Sequence, residues 1–232
     1  MYNGEKILAI IPARGGSKGI KNKNIIDLCG KPLISYTIES ALNSKYIDDV
    51  IVSTDSEKIA DVAIKYNAKV PFKRPQELAT DNSKTIDAII YTINRLNNEG
   101  FKYEHLILLQ PTEPLRNSND IDAAIELYYS RECRALASVS EVDDNPILIR
   151  TISPDGVLNR MLKVSSTCRR QDMPVYYRVN GCIYINRISE LNKSTSFNDN
   201  EIPFVMSREH SVDIDEMKDL WIAEYYINNT EK

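Results

Sequence analysis

Two groups of residues near opposite ends of the chain have the types and spacing to do chemistry. The first is Arg14-Gly-Gly-Ser17-Lys18-Gly-Ile-Lys-Asn-Lys23-Asn24. Glycines at 15, 16 and 19 permit φ > 0, so successive N–H groups can turn inward, and no side chain holds a ligand away. Arg14 can grip phosphate or carboxylate bidentately, while Lys18 and Lys23 add mobile point charges. Such a loop suits anionic oxygen. The plainer alternative is a solvated basic turn. Against it stands the apolar run Ile7 to Ile11, which reads as a buried strand emptying into the loop.

The second group is Asp213-Ile-Asp215. On a strand, residues two apart share a face, so both carboxylates would project together while Ile214 packs the other way. Close carboxylates raise each other's pKa unless a cation lies between them. A hard divalent ion, completed by triphosphate oxygens and water, fits that need. Alternatively one aspartate caps the following helix, and the two roles are compatible. A basic loop and an acidic pair make sense together if the fold joins them in one crevice, the equipment nucleotidyl transfer requires.

Two familiar phosphate loops do not match. The Walker pattern requires Gly-Lys-Ser/Thr five residues after its first glycine, where this chain has Ile20 and Lys21 after Gly15 and Gly16. In the dinucleotide fingerprint, Arg14 would stand in place of the first glycine.

The elements that must position these residues alternate. Strands are expected at Ile7–Ile11, Asp49–Asp55, His105–Gln110 and Ala135–Ser140. Helices are expected after Pro32 (Ile34, Ile38, Ala41 and Leu42 on one face), over Ser56–Tyr66, Ser83–Asn98 and Ser118–Tyr129. This rhythm predicts an α/β fold with a mostly parallel sheet and helices on both faces. Ligands in such sheets sit beyond the strands' carboxyl ends, where the basic loop, Asp55 and Gln110 all lie. Between Glu141 and Tyr177 turn signals predict a small β excursion serving as lid, interface or loop. Strands at Asn180–Asn186, Pro203–Met206 and Val212–Asp215 and a helix over Glu216–Ile227 close the chain.

The 232 residues suffice for one sizeable α/β domain, 1–232. A net charge of −4 argues against nucleic acid as a partner. Met1 to Lys6 lack the make-up of a signal peptide and no apolar run reaches membrane-spanning length, so a cytoplasmic location is expected. Four scattered cysteines and two histidines offer little for zinc or for a Cys/His nucleophile.

The opening run "IPARGGSKGIKNKN" is followed in order by "IVSTDSEKIA", "RPQELATD", "LLQPTEPLR", "RRQDMP", "RVNGCIYI" and "SVDID". On these motifs the chain resembles the CMP-sialic acid synthetases, the acylneuraminate branch of the sugar-activating cytidylyltransferases. The resemblance implies a Rossmann-like nucleotidyltransferase fold and magnesium-dependent transfer of CMP from CTP to a nine-carbon 2-keto acidic sugar, N-acetylneuraminate first. It implies that Arg14, Ser17, Lys18, Lys23, Asn24, Arg74 and Thr85 bind nucleotide, with Arg14, Lys23 and Asp215 catalytic. Gln110, Arg170, Gln171, Arg178 and Asn180 would face the sugar, and Asp213 and Asp215 would hold the metal. Residues 141–177 would be an insertion for homodimerisation.

Two stretches depart from that family's pattern: Glu113 stands where serine is usual, and Asn145 to Arg150 replace a basic stretch. Both are expected on the sugar side, so legionaminic or pseudaminic acid is an alternative acceptor. Readings of another kind are a nucleotidyltransferase for a different sugar class or nucleotide, and a nucleotide-sugar binding module.

Overall fold

The computed structural model describes residues 1–17, 19–167 and 169–229, and all of Arg170 except its side chain. In chain order the strands are β1 (Ile7–Pro12), β2 (Asp27–Leu28), β3 (Lys31–Pro32), β4 (Asp49–Ser53), β5 (His105–Leu108), β6 (Leu136–Glu141), β7 (Arg150–Ile152), β8 (Leu158–Arg160), β9 (Tyr177–Arg187) and β10 (Ile202–Val205). The α-helices are α1 (Leu33–Leu42), α2 (Glu57–Lys65), α3 (Thr85–Asn98), α4 (Ser118–Ser130) and α5 (Met217–Asn229). Six strands form the main sheet in the order β10-β6-β9-β5-β1-β4. Five run parallel, and β9 enters antiparallel between β5 and β6.

The centre of the sheet is buried on both faces, which explains why β1 reads as an unbroken apolar run. Its odd residues Ile7, Ala9 and Ile11 pack with Ile34 and Ile38 of α1, Ile59 of α2 and Ile125 of α4. Leu8 and Ile10 face the other way, against Ile86, Ile89 and Ile93 of α3. Leu42, expected on the inner face of α1, is instead exposed. The helix ends there, with Asn43 as C-cap, before its stripe returns to the core.

A third apolar cluster matters most for function. Ile20 from the basic loop, Leu28 and Leu33 from the segment after it, Ile214 from between the aspartates, and Leu220 and Ala223 of α5 pack together. Burial of these side chains, at roughly 1.5–3 kcal/mol for each large one, draws the last third of the chain onto the loop near its start. The excursion contains an antiparallel hairpin, β7 with β8, outside the main sheet.

Val212–Asp215 is not a strand. It runs irregularly into α5, pinned by the Ile214 N–H donating to the Thr112 carbonyl at 2.9 Å. The expected side-chain alternation holds without a sheet, because Ile214 is fully buried in the third cluster. Neither aspartate is needed to cap α5. Asp219 accepts from the N–H groups of Asp215 and Glu216 at 3.0 and 2.7 Å.

Candidate active site

The crevice lies where the carboxyl ends of β1 and β5 meet the start of α3, and its volume is about 510 Å3. Arg14, Ser17, Lys23, Asn24, Arg74, Thr85 and Gln110 line it together with Asp213 and Asp215. Thus nine of the expected site residues, far apart in sequence, share one cavity. Lys18 lies outside the described residues, as does the side chain of Arg170.

The loop is built differently from the expected nest. Gly15 and Gly16 both avoid the left-handed region, and Asn22 adopts it instead, at φ 56°. The Gly15 N–H is spent on Asp55 Oδ1 at 2.9 Å, so Asp55 braces the loop from behind and is not one of the crevice-lining residues. Asn24, buried, latches the loop by donating to the Arg14 carbonyl at 3.0 Å. Gly19 serves close approach: a Cβ there would lie 2.8 Å from the Asp215 carbonyl oxygen, inside any tolerable contact.

Two features make the basic end fit for anions. Arg74 is only 7% exposed, and its Nε and Nη2 lack hydrogen-bond partners among the described residues. Asp55 lies 3.9 Å from Nη2, beyond hydrogen-bonding range. Unmade hydrogen bonds of this kind cost roughly 1–3 kcal/mol each, a cost that an anionic ligand would relieve. Burial lowers the Arg74 pKa, with Asp55 opposing this and Arg14 reinforcing it. Second, α3 starts at Thr85 with no side-chain cap, and Lys84 and Thr85 both line the crevice. Its first-turn N–H groups and helix dipole favour negative charge. Arg14, by contrast, is already ion-paired with Asp81 at 2.7 Å, a contact that an incoming anion would have to compete with. Asp81 stands in "RPQELATD", but nothing in sequence spacing ties it to Arg14.

At the acidic end, Asp213 Oδ1 is buried without a hydrogen-bond partner among the described residues, while the Asp215 side chain is 74% exposed. Burial raises the Asp213 pKa; a bond from Thr112 opposes this and the charge of Asp215 adds to it. An orphaned carboxylate oxygen beside a second carboxylate, both on one wall and all-oxygen in character, fits a hard divalent cation. Asp213 and Asp215 would be the residues to hold it.

The sugar-side expectations divide. A second cavity of about 700 Å3 shares Asp213 and Asp215 with the crevice and is lined by Arg178 and Arg208. Arg178 donates to the Ser211 carbonyl at 3.4 Å, and Arg208, unassigned from sequence, pairs with Glu141 and Asp143 at 3.3 and 2.5 Å. Gln110 lines the crevice and not the second cavity, its amide over Gly181. A Cβ at Gly181 would be 3.1 Å from Oε1, and its φ of +83° independently favours glycine.

Asn180 does not face either cavity. It is 7% exposed and fully engaged, accepting from Ser138 at 2.6 Å and donating to Ser211 at 2.9 Å, as a strut between β6, β9 and the segment before Asp213. Gln171 is exposed on a short 3-10 turn and is not among the residues lining either cavity.

Glu113 is not open to a substrate either. It is wholly buried, accepts from the Cys182 thiol at 3.1 Å, and titrates at about 8 because of burial, reinforced by the nearby charge of Asp213. Within 145–150, Asn145 caps a short turn through the Ile147 N–H, and Arg150 bonds the Ile147 and Ile149 carbonyls.

One other cluster of ligating types exists among the described residues: Glu5, His105 and Cys133. Both ring nitrogens of His105 are already engaged, with Tyr128 and Glu5 at 2.9 Å each, so this is a satisfied buried histidine.

Residues 8–145 match the family described as Cytidylyltransferase. The chain belongs to the cytidylyltransferase family. It is 35% identical to the "Pseudaminic acid cytidylyltransferase" of Campylobacter jejuni, covering 97% of this chain and 98% of that one. It is 37% identical to the "CMP-N,N'-diacetyllegionaminic acid synthase" of Legionella pneumophila, over 90% and 91% of the two chains. The "N-acylneuraminate cytidylyltransferase" of Escherichia coli is 38% identical over 94% of this cytidylyltransferase, which spans about half (51%) of that longer relative. A CMP:2-keto-3-deoxy-manno-octonic acid synthetase solved with CTP shares the fold at a TM-score of 0.72 and 17% identity, covering 97% of this chain and 99% of that one. No helix among the described residues of the cytidylyltransferase is long and apolar enough to cross a membrane.

Proposed function

We propose that this cytidylyltransferase transfers CMP from CTP to the anomeric hydroxyl of a nine-carbon 2-keto acidic sugar and releases pyrophosphate, with Mg2+ as cofactor. The observation that carries the reading is the crevice, with the unpaired guanidinium N–H groups of Arg74 and the bare start of α3 at one end and Asp213 and Asp215 at the other. Arg14, Lys23 and Arg74 hold the triphosphate oxygens, with Ser17, Lys18, Asn24 and Thr85 completing the nucleotide pocket. Gln110 and Arg178 face the acidic sugar, an arginine pairing its carboxylate, and Arg170 and Gln171 would reach the sugar of a partner subunit from the excursion. A divalent ion on Asp213 and Asp215 neutralises charge on the triphosphate.

The sugar's oxygen forms a bond to the α-phosphorus, the bond to the β-phosphate oxygen breaks, and pyrophosphate leaves. The hydroxyl proton passes toward the exposed carboxylate of Asp215. Alignment and charge neutralisation supply most of the acceleration. N-Acetylneuraminate is our first acceptor. Legionaminic and pseudaminic acids fit equally, because relatives bearing those names match over nearly the whole chain. Dependence on CTP fits a cytoplasmic location.

Purified protein supplied with each of four nucleoside triphosphates, Mg2+ and each acidic sugar is expected to release pyrophosphate with CTP and one nine-carbon acid. Asp213→Ala should lose this turnover while remaining folded by circular dichroism. Undiminished turnover in Asp213→Ala, or binding of CTP without pyrophosphate from any sugar, would overturn the reading; the latter result would favour a binding module.

A further inference from the structure

The two ends of the crevice are joined by one side chain. Lys23 Nζ donates to the Ile214 carbonyl at 2.7 Å and to Asp215 Oδ1 at 2.8 Å. Its side chain is 17% exposed against 74% for Asp215, so the ammonium is sheltered while the carboxylate remains open on its other side. The contact spans nearly the whole sequence. It depends on the packing of Ile20 with Ile214 and on the absence of a side chain at Gly19, which lets the loop lie against the Asp215 backbone.

An ammonium and a divalent cation seated on the same carboxylate repel each other, because they would lie well within a Debye length. An ammonium has three donors, and the Ile214 and Asp215 bonds use two of them. Asp213, by contrast, has a buried oxygen with no hydrogen-bond partner among the described residues and is not bonded by Lys23.

We propose that Lys23 is the internal counter-cation of Asp215, competing with a divalent ion for that carboxylate until the ion displaces it toward the phosphates. The inference rests on the reading that Asp213 and Asp215 hold a divalent ion, and it gives Lys23 a role distinct from simple phosphate binding. Metal entry releases Lys23 from Asp215, and triphosphate oxygens then accept it. Metal and nucleotide therefore favour each other's binding. By linkage the effect is the same in both directions, within the roughly 5–150-fold range usual for coupled sites.

The test measures Mn2+ binding to the full chain without nucleotide, by the electron paramagnetic resonance signal of the free ion, in wild type, Lys23→Met, Asp213→Asn and Asp215→Asn. Lys23→Met should bind Mn2+ at least about fivefold more tightly than wild type, and Asp213→Asn more weakly. Equal or weaker binding by Lys23→Met, with Asp213→Asn and Asp215→Asn still impaired, overturns the role of Lys23 and leaves the metal reading standing. Unimpaired binding in both aspartate variants overturns the metal reading and this inference with it. A second measurement needs no mutant. Reductive methylation of wild type, mapped by mass spectrometry, should modify Lys23 slowly in chelator and faster with Mg2+, and a rate indifferent to Mg2+ contradicts the release.

Discussion

At the scale of single residues, Glu113 shows how an apparently foreign side chain is accommodated. A fully buried carboxyl is tolerable when it is neutral and expensive when it is charged. The Cys182 thiol donates to one oxygen, while the other, Oε1, lacks a hydrogen-bond partner among the described residues. Burial, joined by the charge of Asp213, raises its pKa from 4.5 to about 8. The folded protein therefore holds a proton that the unfolded chain loses near pH 4.5. Its neutral form carries no ionisation penalty at lower pH, and that penalty grows as pH rises from there to about 8, where the folded group also ionises. Each pH unit across that window costs about 1.4 kcal/mol, so the ceiling is several kcal/mol, reduced by any water that enters. In chelator, the urea midpoint of wild type should fall between about pH 5.5 and 8 relative to that of Glu113→Gln. Parallel pH profiles for the two proteins would refute the assignment.

At the scale of elements, the decisive contact is between the loop and the acidic segment. Gly19→Ala drives a Cβ against the Asp215 carbonyl at 2.8 Å, whereas Gly16→Ala meets nothing within 4 Å. Gly19→Ala should lose roughly 1–3 kcal/mol in urea titration, as overpacking does, and should separate Lys23 from Asp215 and cost activity. Gly16→Ala should leave stability within about 0.5 kcal/mol of wild type. Equal effects would mean that Gly19 is not needed for close approach. The elements themselves were largely readable, because both-face burial writes β1, β4 and β5 as continuous apolar runs and α3 as isoleucines at helical spacing. The reverse direction of β9 was not, since burial on both sides leaves no mark of strand direction. Composition likewise marked Gly15, Gly16 and Gly19 as special without revealing that Gly19 is needed for a backbone far away in sequence. The Arg14–Asp81 and Lys23–Asp215 pairs are tertiary and have no local signature, and the full engagement of Asn180 depends on Ser138 and Ser211 from other elements.

At the scale of the molecule, the excursion between β6 and β9 bears apolar side chains that a lone chain leaves in water. Ile152 and Leu158, paired across the β7–β8 hairpin, are 72% and 65% exposed, and Val157, Met161 and Val175 are exposed with them. Scattered exposed apolar residues need no explanation, whereas Ile152, Val157 and Leu158 together on one hairpin outside the main sheet would suit an association surface. A second copy of the chain is the occupant that our reading of 141–177 as a dimerisation insertion requires. It would bury the same hairpin on both subunits about a two-fold axis. Replacing Ile152 and Leu158 together by aspartate places like charges from both subunits in such an interface and leaves the main sheet untouched. Light scattering should report a dimer for wild type and a monomer for the double variant, with circular dichroism unchanged. If the excursion also completes the sugar site from the partner subunit, the monomer should keep its affinity for CTP and lose affinity for the sugar. A monomeric wild type, or a double variant that stays dimeric, would exclude this hairpin as the dimer contact and return the excursion to the role of a lid.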